Sequence, residues 1–143
     1  MPTVAQIFAH TLNEIGVRYV FGVPSGNMID YIEAIREEDG IDFILVAHEA
    51  TAAIMADVCG RLTGAPGVCF ATFGPGATNL STGVGGALLD RSPLIAFTDE
   101  MPDHLLNRTV QMNINHQQLF FPITKWTTRL NAENVGEIIL KGA

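Results

Sequence analysis

The sequence predicts an α/β domain: a doubly wound, mainly parallel sheet of about five strands with helices on both faces. Three observations point there. Strand-like apolar runs alternate with amphipathic helical runs along the chain. The strand runs, such as Phe43 to Ala47 and Val68 to Phe73, are continuous rather than alternating, as in strands covered on both faces. Glycine, proline or short polar groups punctuate the changes from one run to the next.

Thr3 is placed to cap a first helix, whose Val4, Ile7, Phe8, Leu12 and Ile15 recur at helical spacing before Gly16 ends it. Val17 to Val23 reads as a strand. Pro24 to Asn27 is a turn, and Met28 to Glu37 a helix broken by Asp39-Gly40. Phe43 to Ala47 is the second strand; a helix follows over Ala50 to Leu62, then a turn at 64–67. Val68 to Phe73 is the third strand. It ends in Gly74-Pro75-Gly76, and Ala77 to Leu89 is a helix rich in small residues. Pro93 introduces a fourth strand, Leu94 to Thr98. Asp99 to Gln118 reads as a long loop with short helical turns, a kind of segment that often carries function. Thr124 to Leu130 resembles a fifth strand, and Ala132 to Leu140 a closing helix capped by Asn131. A doubly wound sheet ordinarily continues past such a helix, so the chain is expected to stop short of its last strand.

The 143 residues suffice for one domain with a real core. Only 16% are charged, against about 25% in a typical domain, and 48% are hydrophobic, so part of the apolar surface is expected to be covered by a partner. A net charge of -7 without a basic run argues against nucleic-acid binding. No apolar run is long enough to span a membrane, and the chain opens into an amphipathic helix rather than a signal peptide, so a cytoplasmic protein is expected. Cys59 and Cys69 lack CxxC spacing and read as reduced, buried thiols.

Glu49 is the leading candidate for chemistry. It follows a buried strand and opens a run of alanines, at the strand-end edge where open α/β sheets bind ligands. Poor solvation there would raise its carboxyl pKa and let it share a proton with a nitrogen base. A plain first-turn acid favoured by the helix dipole fits the same pattern. His48 reads as a structural or lining residue; no second histidine follows at helical spacing, so a zinc-protease helix is excluded and no metal site is predicted. Gly74-Pro75-Gly76 suits close approach of a ligand to backbone, or a simple tight turn; it is neither a P-loop nor a dinucleotide fingerprint. The small-residue helices at 50–62 and 77–89 could pack in the core or form a dimer seam. Gln111, His116 and Gln117 are polar groups of the late loop near the same edge, and Asp90-Arg91 suggests a local ion pair or helix-end contact.

Three motifs together carry a resemblance: GVPSGN at 22–27, HEATAA at 48–53 and GVCFATFGPGATNLSTGVGGALLDRSPLIAFT at 67–98. They resemble the N-terminal, pyrimidine-binding domain of thiamin-diphosphate enzymes, most of all the large catalytic subunit of acetolactate (acetohydroxyacid) synthases. The likeness runs through FFPITKW at 120–126.

The resemblance implies a role for Glu49. The matching glutamate in that family hydrogen-bonds the cofactor's aminopyrimidine and promotes the imino tautomer, whose nitrogen takes the thiazolium proton; a 2-oxo acid is then decarboxylated. Pro75 and Asn79 match positions beside the cofactor; Gly26 and Gln111 match positions lining the substrate pocket. Two departures touch that pocket. Thr98-Asp99-Glu100 stands where the synthases carry Thr-Gly-Gln, and Val110 where they carry Phe. A related decarboxylase, lyase or carboligase therefore fits equally well.

The family's Mg²⁺ and diphosphate are held by a separate Gly-Asp-Gly…Asn domain, which nothing here matches, and its sites form between subunits. The resemblance thus implies a homodimeric or homotetrameric complete protein, with the middle and diphosphate-binding domains outside residues 1–143. FAD is compatible with the resemblance but not indicated by these residues. These residues alone are expected to be inactive. The alternatives are a naturally separate α-subunit of a two-chain decarboxylase, or a non-catalytic partner-binding module of flavodoxin-like fold.

Overall fold

A computed structural model describes residues 1–143. Four parallel strands, β1 (Tyr19–Gly22), β2 (Asp42–Leu45), β3 (Gly67–Ala71) and β4 (Leu94–Thr98), form one sheet in the order β2-β1-β3-β4. The helices are α1 (Val4–Glu14), α2 (Ile29–Glu37), α3 (Glu49–Thr63), α4 (Pro75–Asp90), α5 (His116–Phe120) and α6 (Val135–Gly142). α1, α2 and α6 pack on one face of the sheet and α3, α4 and α5 on the other.

The strand pattern explains both faces. In β3, Val68 and Phe70 point into a core with Phe8, Leu12 and Ile35, while Cys69 and Ala71 point into a second core with Ala53, Leu80 and Val84. Every residue of β3 is buried, which is why its run does not alternate. Full burial of Phe70 alone contributes about 2–3 kcal/mol. The edge strands differ: β4 is half-buried throughout, and β2 begins and ends exposed.

The helix boundaries have local causes. Thr3 and Gln6 form a reciprocal capping box on α1. His48 caps α3, its Nδ1 accepting from the Ala50 N–H at 3.1 Å, and Gly64, at φ 75°, closes that helix. A Cβ on Gly83 of α4 would overlap the Ala53 side chain of α3. The small residues therefore serve close packing between these two helices within the chain. The outer side of α3 leaves Ile54, Met55, Val58 and Leu62 exposed.

Two expectations need correction. The sheet has four strands, not five: Thr124 to Leu130 makes no ladder and β4 is an open edge. Its threonines and Trp126 have the side chains of a strand, but such propensity expresses itself only against a neighbour. Instead, Thr124 Oγ1 donates to the Phe120 carbonyl at 2.9 Å and closes the turn after α5, and Thr128 O accepts from Gln117 Nε2 at 3.2 Å. The last helix runs from Val135, not Ala132. Asn131 Oδ1 accepts from the N–H groups of Glu133 and Asn134 at 3.0 and 3.1 Å, and this turn takes up the residues before the helix.

No helix is long and apolar enough to cross a membrane. Both cysteines are free thiols; Cys69 is fully buried, which pushes its thiol up, and Cys59 is half-buried.

Candidate functional site

The strand order reverses between β1 and β3, and the carboxyl ends at such a reversal are where open α/β sheets bind ligands. Glu49, the first residue of α3, stands at that rim half-buried. Asn79, one turn into α4, donates from Nδ2 to Glu49 Oε2 at 3.0 Å. The other oxygen lies across Gly76: a Cβ there would stand 3.4 Å from Glu49 Oε1 and crowd Thr72 Cγ2 at 2.9 Å. The carboxylate thus has one oxygen anchored by an amide and the other beside bare backbone. The oxygen without a partner can accept a hydrogen bond from a ligand's donor.

The bend that carries Gly76 is held from behind. Gly74 adopts φ 72°, ψ -119°, a conformation open only to glycine, and Pro75 then takes the first helical position of α4. Met112, itself at φ 64°, lies with its backbone and Cβ against Gly74. His116, only 4% exposed, accepts the Gly74 N–H on Nε2 at 3.1 Å. Its Nδ1 is 2.9 Å from Thr98 Oγ1 at the end of β4. Burial holds His116 below the usual histidine range, against the pull of Glu100 and Asp99.

Asp99 follows β4 directly. Both its carboxylate oxygens are buried without a well-formed hydrogen bond. Burial pushes its carboxyl up, opposed by the nearby Phe73 backbone and the Asn27 and Thr72 side chains. Glu100 is better matched, pairing with Arg129 at 2.6 Å, and Arg129 also reaches Asp103 at 2.8 Å.

Glu49, Asn79 and the Gly74-Pro75-Gly76 bend thus come together at one rim, with Pro75 exposed at its mouth. Gly26 is exposed in the turn after β1, where a Cβ would meet nothing within 4 Å. Gln111 is exposed on the loop, next to the Met112 that covers Gly74. Gln117 is occupied with Thr128. Asp90 turns to Arg61 at 4.0 Å rather than to Arg91, which ends α4 in the left-handed region. No three His, Cys, Asp or Glu side chains gather to hold a metal ion. A groove of about 980 Å³ runs along β4's open edge and shares Asn27, Asp99 and His116 with the rim.

Sequence reasoning named His116 as a loop group but missed its tie to Gly74 and Thr98. The signal available was a histidine three and four residues before Leu119 and Phe120, on the same face of a helical turn as that apolar pair. Asp99 was visible only as a departure from a motif.

The model of the family described as "Thiamine pyrophosphate enzyme, N-terminal TPP binding domain" matches residues 2–119. The chain is 41% identical over 121 residues to the probable acetolactate synthase large subunit of Methanocaldococcus jannaschii, covering 85% of this chain and 20% of that one. It is 38% identical over 137 residues to the acetolactate synthase of Bacillus subtilis (94% and 24% covered). It is 35% identical over 123 residues to the acetolactate synthase isozyme 1 large subunit of Escherichia coli (86% and 22% covered). The chain therefore spans about a fifth to a quarter of the length of these relatives.

Proposed function

This chain belongs to the thiamine-pyrophosphate-enzyme N-terminal TPP-binding family, and we propose that it supplies the pyrimidine-activating half of an acetolactate synthase-like site acting on a 2-oxo acid. The observation that carries this reading is the Glu49–Asn79 pair across Gly76, at the rim where the strand order reverses. Asn79 holds one oxygen at 3.0 Å and so restrains the Glu49 carboxylate. Its free oxygen would hydrogen-bond the cofactor's pyrimidine when that group is bound, and a carboxyl there would be placed to exchange a proton with it. Half-burial by α3 and α4 limits competition from water for that proton. Gly76, with no side chain, lets the start of α4 pack closely beside Glu49, and Pro75 stiffens the bend next to it. When bound, thiamin diphosphate supplies the electron sink for decarboxylation.

Gly26 and Gln111, on the loops flanking the rim, line the substrate side. Asp99, Glu100 and Val110 mark that side as different from the synthase pattern, so the proposal stops at a 2-oxo acid and leaves the product class as synthase, decarboxylase or lyase. Magnesium and the diphosphate fall to parts of the complete protein outside residues 1–143. A second copy of the complete protein is proposed to close the site, with the apolar outer side of α3 supporting a covered surface.

The test is carbon dioxide release from pyruvate and longer 2-oxo acids by the complete protein, with and without added thiamin diphosphate and Mg²⁺. Release that requires the cofactor is expected. No release from any of them, with no uptake of the cofactor, would contradict the reading.

A further inference from the structure

We propose that His116 is a positioning residue: its neutral imidazole, protonated on Nδ1, ties the end of β4 to the Gly74 bend and so sets where α4 carries Asn79 and, through Asn79, Glu49. The proposal rests on the reading of Glu49 given above.

The tautomer follows from the partners. Gly74 N–H can only donate, so the Nε2 that meets it at 3.1 Å must be bare. A neutral ring then carries its proton on Nδ1, directed at Thr98 Oγ1 2.9 Å away. The ring is held on a further side by the edge-on Phe120, and Asn115 fixes the start of α5 by accepting from the Gln118 N–H at 2.9 Å. A buried N–H without an acceptor is costly, so the bend needs this nitrogen. The bend is also the start of α4. Gly74 leads into Pro75, Asn79 follows one turn on, and Asn79 holds Glu49 Oε2. A displaced Gly74 moves the whole rim.

Protonation reverses the contact. An Nε2–H would point at the Gly74 N–H, and the bend would lose its acceptor. The charged groups around the ring are Asp99 and Glu100 beyond β4, which favour the proton, and Arg129, which pairs with Glu100 at 2.6 Å. The stretch from Thr72 to Asn79 brings none. Burial opposes the proton more strongly than the two carboxylates attract it.

The experiment labels the histidine rings of the complete, cofactor-free protein with 15N and reads the tautomer by solid-state NMR, with His116 assigned by its loss in His116→Gln. The Nδ1–H neutral tautomer is expected at neutral pH; an Nε2–H tautomer or a charged ring there would overturn the proposal. Two variants separate the ring's two bonds. His116→Gln can set an amide oxygen where Nε2 stood, and His116→Asn leaves Gly74 unpartnered. Calorimetry should find thiamin diphosphate binding about tenfold weaker in His116→Asn, the size of one lost hydrogen bond, and within about threefold of the parent in His116→Gln. The parent's affinity should fall more steeply on acidification than that of His116→Gln. Equal affinity in His116→Asn and parent, or the same acid-side fall in His116→Gln, would overturn it. If His116→Asn fails to fold, the tautomer and the pH profile of His116→Gln still decide. Glu49→Gln is the control for the underlying reading. Unchanged turnover there would refute the role of Glu49 while leaving the cofactor-free tautomer result intact.

Discussion

At Glu49 the two carboxylate oxygens face different surroundings, the Asn79 amide and the backbone at Gly76. Asn79→Ala should release the first, leaving the carboxylate free to turn. About a tenfold lower kcat/KM in the complete protein is expected, little of it through stability, as steady-state kinetics and thermal melting would show. Two neighbours titrate in opposite senses. His116 is held below its usual range by burial, so the unfolded chain binds a proton there first. Stability from this group is present above the unfolded value of about 6.5 and falls as pH drops from there toward the folded pKa. Asp99 is pushed up by burial, so the folded chain binds its proton first, and falling pH relieves a cost there. Asp99→Asn should therefore raise the denaturant midpoint at pH 7, and the gain should shrink as pH falls. A lower midpoint at pH 7 would mean that the charge is compensated.

The elements that matter most are the bend and the two helices it separates. Gly74 combines a positive φ with Met112 packed against its Cα, so Gly74→Ala adds strain and a clash at once. A loss of at least about 2 kcal/mol is expected in urea unfolding; a loss under about 0.5 kcal/mol would show that the bend relaxes freely. Helices and inner strands were legible because their signals are local: the Thr3 cap, the Pro75 start, the unbroken apolar run of β3. What the sequence hid was non-local. Thr124 to Leu130 looks like a strand residue by residue, yet strand status depends on a partner across the sheet, and no spacing rule reports that. The Gly74–His116 tie joins residues 42 apart. Sequence periodicity is blind to it. The role of Glu49 was likewise open from composition and gained a direction only from the motifs around it.

For the whole molecule, the order β2-β1-β3-β4 brings three separate stretches, after β1, β2 and β3, to one rim. Topology, more than any single motif, sets Gly26, Glu49 and Gly76 at the same carboxyl rim of the sheet. The acidic chain has no gathered metal-binding carboxylates, and a diphosphate needs compensating charge. The isolated 143 residues should therefore release no carbon dioxide from pyruvate, even with cofactor and Mg²⁺ added. Turnover by them alone would contradict the division of the site. The central claim is that Glu49 shares a proton with the bound cofactor. Its most direct test is the rate at which the cofactor's thiazolium carbon exchanges hydrogen for deuterium in the complete protein, parent against Glu49→Gln. Exchange slower by about 10²- to 10⁴-fold in the variant, with an unchanged melting temperature, is the expected result; equal exchange rates would contradict it.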